Sequence, residues 1–136
     1  MKVILDPNVL VSAVVARGVS ADLLDRWLTD RPFQVVVSPR LIAELRGVLA
    51  RPKFRRWIAT EEVTALVDLL EREAEQRIDP AEVTPVTRDP KDDYLVALYR
   101  SCRADPLVSG GSDLLDLAAD DVTVLTPGAL LERLQP

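Results

Sequence analysis

Four short apolar runs punctuate this chain, and stretches of helical periodicity separate them. "KVIL" at residues 2–5, "FQVVVS" at 33–38, "PLVSG" at 106–110 and "VTVLT" at 122–126 read as strands. They are rich in β-branched residues, and most are apolar throughout, the pattern of strands buried on both faces. Strands alternating with helices restrict such a chain to a parallel sheet with helices packed on each side. The expected fold is therefore α/β: a three-layer α/β/α sandwich around a central parallel sheet of four to five strands. The length, 136 residues, and the lack of repeats, low-complexity tracts or linkers predict a single domain over residues 1–136.

The intervening segments carry start and stop signals. "PNVLVSAVVAR" reads as a helix with Gly18 as its stop. "SADLLDRWLTD" follows, with Ser20 as N-cap and Leu23, Leu24, Trp27 and Leu28 on one face. "SPRLIAELRGVLAR" starts with Ser38 as N-cap and Pro39 at the first helical position. "TEEVTALVDLLEREAEQR" is a long amphipathic helix capped by Thr60, with acids in its first turn. Residues 79–90 carry three prolines and predict an irregular connection. "KDDYLVALYRSCRA" is helical, "SDLLDLA" is a short helix or turn, and "PGALLERL" closes as a helix.

Composition removes several chemistries. The chain has no histidine, which excludes His-based triads, His general bases and His metal ligands. With Cys102 as the single cysteine, a zinc site and an internal disulfide are both disfavoured. The lone thiol suits a reducing cytoplasm, and neither a signal peptide nor a membrane-spanning run is apparent. The net charge of −5 argues against a passive nucleic-acid coat, though not against an enzyme that meets nucleic acid through a local patch and a bound metal.

In a parallel sheet the ligand crevice lies beyond the carboxyl ends of the strands. Asp6 ends the first strand. Glu44 follows the second, in the first turns of its helix. Asp89, Asp92 and Asp93 stand where the "KDDYLVAL" helix begins, and Asp113 follows the third strand. Carboxylates gathered on one edge repel unless a positive charge sits among them. Mg²⁺ or Mn²⁺ suits such oxygen donors and would activate water for hydrolysis of a phosphodiester. Each acid also has a structural reading: Asp6 and Asp113 as helix caps, Asp92 and Asp93 as first-turn acids, Glu44 as a solvated helix residue.

The segments "LDPNVLVSA", "SPRLIAELRGVL", "RDPKDDYLVAL" and "ADPLVSGGSDLLDL" occur in the order found in PIN domains. Over nearly its whole length the chain resembles that family, most closely the VapC-like PIN toxins of bacterial toxin–antitoxin pairs. The resemblance implies a PIN-like fold and a Mg²⁺- or Mn²⁺-dependent ribonuclease. It implies metal-binding acids at Asp6, Glu44 and Asp92, with Asp93 the alternative if the motif shifts by one. It also implies that Asn8 orients the first acid and that Ser109 replaces a common threonine. Two departures stand out. Pro7 occupies the place of a usual Thr or Ser, and Gly110–Gly111 lacks the usual fourth acid. Asp113, two residues on, matches another family acid and is the candidate to supply that carboxylate, joining Asp6 and Asp92 at the metal.

"RPKFRRW" brings Arg51, Lys53, Arg55 and Arg56 together with Phe54 and Trp57. Cations beside aromatics suit RNA phosphates and bases. A solvated basic face with inward aromatics, or a seat for an acidic antitoxin segment, would look the same in sequence. The resemblance further implies an RNA substrate, a cognate antitoxin and a homodimer. The alternative function is a degenerate PIN domain that binds RNA or protein without cleavage. A receiver or aspartyl-phosphate hydrolase is disfavoured: none of Lys2, Lys53 and Lys91 follows the third or fourth strand.

Overall fold

The structure is a computed structural model and describes residues 1–135; Pro136, the last residue of the expected domain, lies outside the described residues. Five parallel strands form one sheet in the order β3-β2-β1-β4-β5. They are β1 (Lys2–Leu5), β2 (Gln34–Val37), β3 (Glu75–Gln76), β4 (Leu107–Val108) and β5 (Val124–Leu125). Helices α1 (Pro7–Val15) and α2 (Val19–Asp30) link β1 to β2, and α3 (Pro39–Leu49) and α4 (Thr60–Glu73) link β2 to β3. After β3 come α5 (Asp93–Cys102), α6 (Ser112–Leu115) and α7 (Pro127–Leu134). Successive residues Val3, Ile4 and Leu5, like Val35, Val36 and Val37, are all buried. Both faces of the inner strands are therefore covered, as their unbroken apolar runs predict.

The register pairs Lys2 with Gln34 on one side of β1, and Ile4 with Leu107 on the other. The chain winds outward from β1 in one direction through β2 and β3, then crosses back to β4 and β5. The reversal falls between β1 and β4, and beyond the carboxyl ends of that pair lies the crevice such a sheet offers a ligand.

Local signals explain most boundaries. Ser38 accepts the Leu41 N–H at 3.2 Å, with Pro39 next in line, so α3 begins where its sequence places it. Helix α2 starts at Val19, one residue before the expected cap. Gly18 takes a φ of 149°, which L side chains rarely adopt, and turns the chain directly from α1 into α2. Helix α4 begins at Thr60 itself, and Ala59 precedes it; the Glu62 carboxylate accepts the Ala59 N–H at 3.0 Å. That helix ends at Glu73, short of the expected 77, because Glu75 and Gln76 pair with Val36 and Val37. Residues 77–89 are irregular, as their prolines require. Among the described residues no single helix is long and apolar enough to cross a membrane.

Candidate metal centre

Asp6 follows β1 directly and caps α1. Its Oδ1 accepts the backbone N–H of Asn8 at 3.0 Å, and its Oδ2 accepts the Ser109 hydroxyl at 2.8 Å. Pro7 at the first helical position loses nothing there, since that N–H has no partner inside a helix. Capping and site-building thus coincide in one carboxylate. Asp6 is only 5% exposed, and burial raises its pKa above the usual carboxylate value, against the pull of the Asn8 and Ser109 hydrogen bonds.

Ser109 follows β4, placed by the bond from its N–H to Leu125 O at 3.0 Å. It is fully buried, and its Oγ accepts the Gly111 N–H at 3.0 Å while its hydroxyl points to Asp6. Gly111 thus leaves no carboxylate at its own position but contributes an N–H that fixes the Ser109 hydroxyl.

Among the described residues, Asp89, Asp92 and Asp113 each offer an oxygen within 4.8 Å of the others. Asp89 caps a short 3₁₀ turn, Pro90–Asp92, and accepts the Lys91 N–H at 3.0 Å, while Asp92 is the turn's last residue. Asp113 comes from the first turn of α6. The Asp92 carboxyl is pushed up to about 6, first by burial and then by the charges of Asp6, Asp89, Glu44 and Asp113. Asp92 therefore lies close enough to Asp6, Asp89, Glu44 and Asp113 for each charge to act on it.

Asp93 does not join them. It is 4% exposed, and its Oδ1 accepts the N–H groups of Val86 and Thr87 at 3.1 and 2.8 Å and the Thr87 hydroxyl at 2.8 Å. Burial raises its pKa, but these hydrogen bonds outweigh it and the net shift is downward. The two adjacent aspartates have divided their work: Asp92 faces the acid cluster, and Asp93 ties the end of the irregular connection to α5.

Glu44, half-buried on α3, accepts the Tyr94 hydroxyl. Tyr94 is 2% exposed, and the Arg40 guanidinium stacks 4.5 Å above its ring. Arg40 and Tyr94 lie within the quoted motif segments, but nothing in those segments assigns either a role at the site. Their role depends on α5 and α3 meeting in space. A cleft of about 330 Å³ opens between α1 and the Gly110–Gly111 turn, lined by Asn8, Ser12, Ser20, Gly110, Gly111 and Pro127 among others; none of the site's acids lines it.

In the basic segment, Phe54 is half-buried and packs on the core, whereas Trp57 is 61% exposed. Arg51, Lys53, Arg55 and Arg56 are exposed, with Lys53 Nζ 5.1 Å from the Phe54 ring centroid. Arg51 lies two residues past the end of α3. None of these four cations is ion-paired with the acids among the described residues.

A sequence model of the PIN domain matches residues 2–112. The chain belongs to the PIN domain family. Among solved structures, this PIN domain matches a chain of VapBC2 from Rickettsia felis, crystallised bound to a DNA fragment from their promoter. The TM-score is 0.63 at 16% identity, covering 93% of this chain and 98% of that one. At such identity the likeness concerns the fold. No curated protein matches the sequence significantly.

Proposed function

We propose that this PIN domain is a Mg²⁺- or Mn²⁺-dependent endoribonuclease and the toxin of a toxin–antitoxin pair. The observation that carries the reading is the group of Asp89, Asp92 and Asp113, whose oxygens lie within 4.8 Å of one another, with burial first and then the charges of Asp6, Asp89, Glu44 and Asp113 raising Asp92 to about 6. The donor set is all carboxylate oxygen, which fits a hard divalent cation. Three carboxylates that each offer an oxygen within 4.8 Å of the others can reach one such ion together.

Asp89, Asp92 and Asp113 would hold the cation together with Asp6, with Glu44 adding charge. A divalent ion there supplies positive charge to a phosphate and makes a water more acidic. The chain's own residues prepare that site. Ser109 and the Asn8 N–H fix both Asp6 oxygens, and Tyr94 fixes Glu44. Asp93 stays with Val86 and Thr87 and has no share in binding. The cleft of about 330 Å³ lined by Asn8, Gly110 and Gly111, close in the chain to Asp6 and Ser109, would give room for a nucleotide. Arg51, Lys53, Arg55 and Arg56, with exposed Trp57, would engage flanking RNA through phosphate contact and base stacking.

A cytoplasmic single-domain protein, a homodimer and a cognate antitoxin complete the proposal. The likeness to a chain of VapBC2 supports the antitoxin. Gly111, where the family usually carries an acid, favours one other reading: a degenerate domain that binds without cutting. Asp113 within the triad weighs against it. Cleavage of single-stranded RNA with Mn²⁺ present decides between them. The nuclease reading expects cleavage by the wild type and none by folded Asp6→Asn or Asp92→Asn. Unchanged cleavage by those variants, or none by the wild type at millimolar Mn²⁺, would sink it.

A further inference from the structure

Arg88 stands just before Asp89 and reaches from the irregular connection across to α6. Its Nε lies 3.3 Å from Asp113 Oδ1, and its Nη2 lies 2.8 Å from Asp116 Oδ2. The Nη2 group also donates to the Ser112 carbonyl at 3.2 Å. Among the described residues, Arg88 is the one cation ion-paired with a member of the Asp89–Asp92–Asp113 group.

Asp113 therefore answers to two positive charges. A divalent ion among the three carboxylates would draw its oxygens inward, while the guanidinium draws them toward the connection. Arg88 does not depend on Asp113 for its place, because Asp116 and the Ser112 carbonyl hold the other end of its fork. Both members of the Arg88–Asp113 pair are well exposed, at 63% and 40%, so the pair is weak and exchangeable. Arginine keeps its charge at all working pH values, so the competition does not relax by deprotonation.

We infer that Arg88 is a positioning residue that competes with the divalent cation for Asp113 and lowers the cation affinity of the site. The inference rests on the cation reading given above. It differs from a role in pinning α6, which would leave the affinity unchanged or reduce it when Arg88 is lost.

The test is calorimetric titration with Mn²⁺ of wild type, Arg88→Gln, Arg88→Lys, Asp113→Asn and the Arg88→Gln/Asp113→Asn pair, each shown to be folded by circular dichroism. Arg88→Gln is expected to bind Mn²⁺ about two- to fivefold more tightly, in line with the loss of one weak exposed ion pair. Arg88→Lys, which keeps the charge, stays close to wild type. In the Asp113→Asn background, removing Arg88 changes little, because the competed carboxylate is gone. Equal affinity in wild type and Arg88→Gln, weaker binding in Arg88→Gln, or an equal gain in both backgrounds overturns the inference and leaves the cation reading standing. No Mn²⁺ binding by any of the proteins overturns both.

Discussion

The Ser109 hydroxyl donates to Asp6 Oδ2 at 2.8 Å, joining the ends of two neighbouring strands across 103 residues of sequence. The bond sits at the point where the sheet reverses its winding. It gives the buried Asp6 carboxylate a donor on the oxygen that the Asn8 N–H does not reach.

Ser109→Ala removes that donor and leaves the Gly111 N–H without its acceptor. A buried hydrogen bond of this kind contributes about 1–2 kcal/mol. The variant is expected to unfold in urea with that much less stability. The Asp6 pKa should rise further, and Mn²⁺ should bind more weakly near neutral pH. A titration curve identical to wild type would show that Ser109 does not act on Asp6.

Asp92 makes stability depend on pH in a particular sense. Its folded-state pKa is raised from 3.8 to about 6, so between those values the folded protein holds more protons than the unfolded one. Stability then falls as pH rises through that window. Asp92→Asn removes the cost of the charge and is expected to be more stable than wild type at pH 7 without metal, by on the order of 1 kcal/mol after solvent screening. The gain should fade toward pH 4. Thermal melts of both proteins at pH 4, 5.5 and 7 check this, and a constant difference across that range would contradict it.

Asp93 should behave in the opposite way. It accepts two backbone N–H groups and the Thr87 hydroxyl on one oxygen. Asp93→Ala leaves those donors unpaired and should cost about 2–3 kcal/mol of stability. Because its folded pKa is lowered, the stability it provides is present above about 3.8 and is lost as pH falls through the folded value. Mn²⁺ affinity of the folded variant should match wild type. A loss of binding comparable to that of Asp92→Asn would return Asp93 to the metal site.

Tyr94→Phe keeps the buried ring under Arg40 and removes only the hydroxyl on Glu44. Stability should drop by about 1 kcal/mol. RNA cleavage should fall more than RNA binding, because Glu44 loses its fixed orientation. Separate measurement of kcat and KM with an RNA oligonucleotide distinguishes this from a packing defect.

Much of this molecule is written locally. The unbroken apolar runs at 2–5 and 34–37 require burial on both faces, and helices between them require parallel pairing. Ser38–Pro39 starts α3 by chemistry confined to four residues, and the prolines at 80, 85 and 90 keep the connection irregular. The acids at strand ends could be named as site candidates because a parallel sheet gathers those ends on one edge. Other features have no local signature. Glu75–Gln76 is polar and brief, and becomes a strand only because Val36 and Val37 offer an unpaired edge.

The roles of neighbouring acids were also beyond local reading. Asp92 and Asp93 carry the same charge at the same helix start, and their different fates come from which one meets the N–H groups of Val86 and Thr87. Arg88 and Tyr94 reach Asp113 and Glu44 across 25 and 50 residues. The sequence by itself determined the layers of this protein, the direction of its strands and the edge on which its acids lie, since hydrophobic period and helix capping act within a few residues. Which carboxylates converge, which are neutralised and which are held by a hydroxyl was decided only by the tertiary structure, because hydrogen bonds and charge–charge interactions depend on distances that chain order does not set.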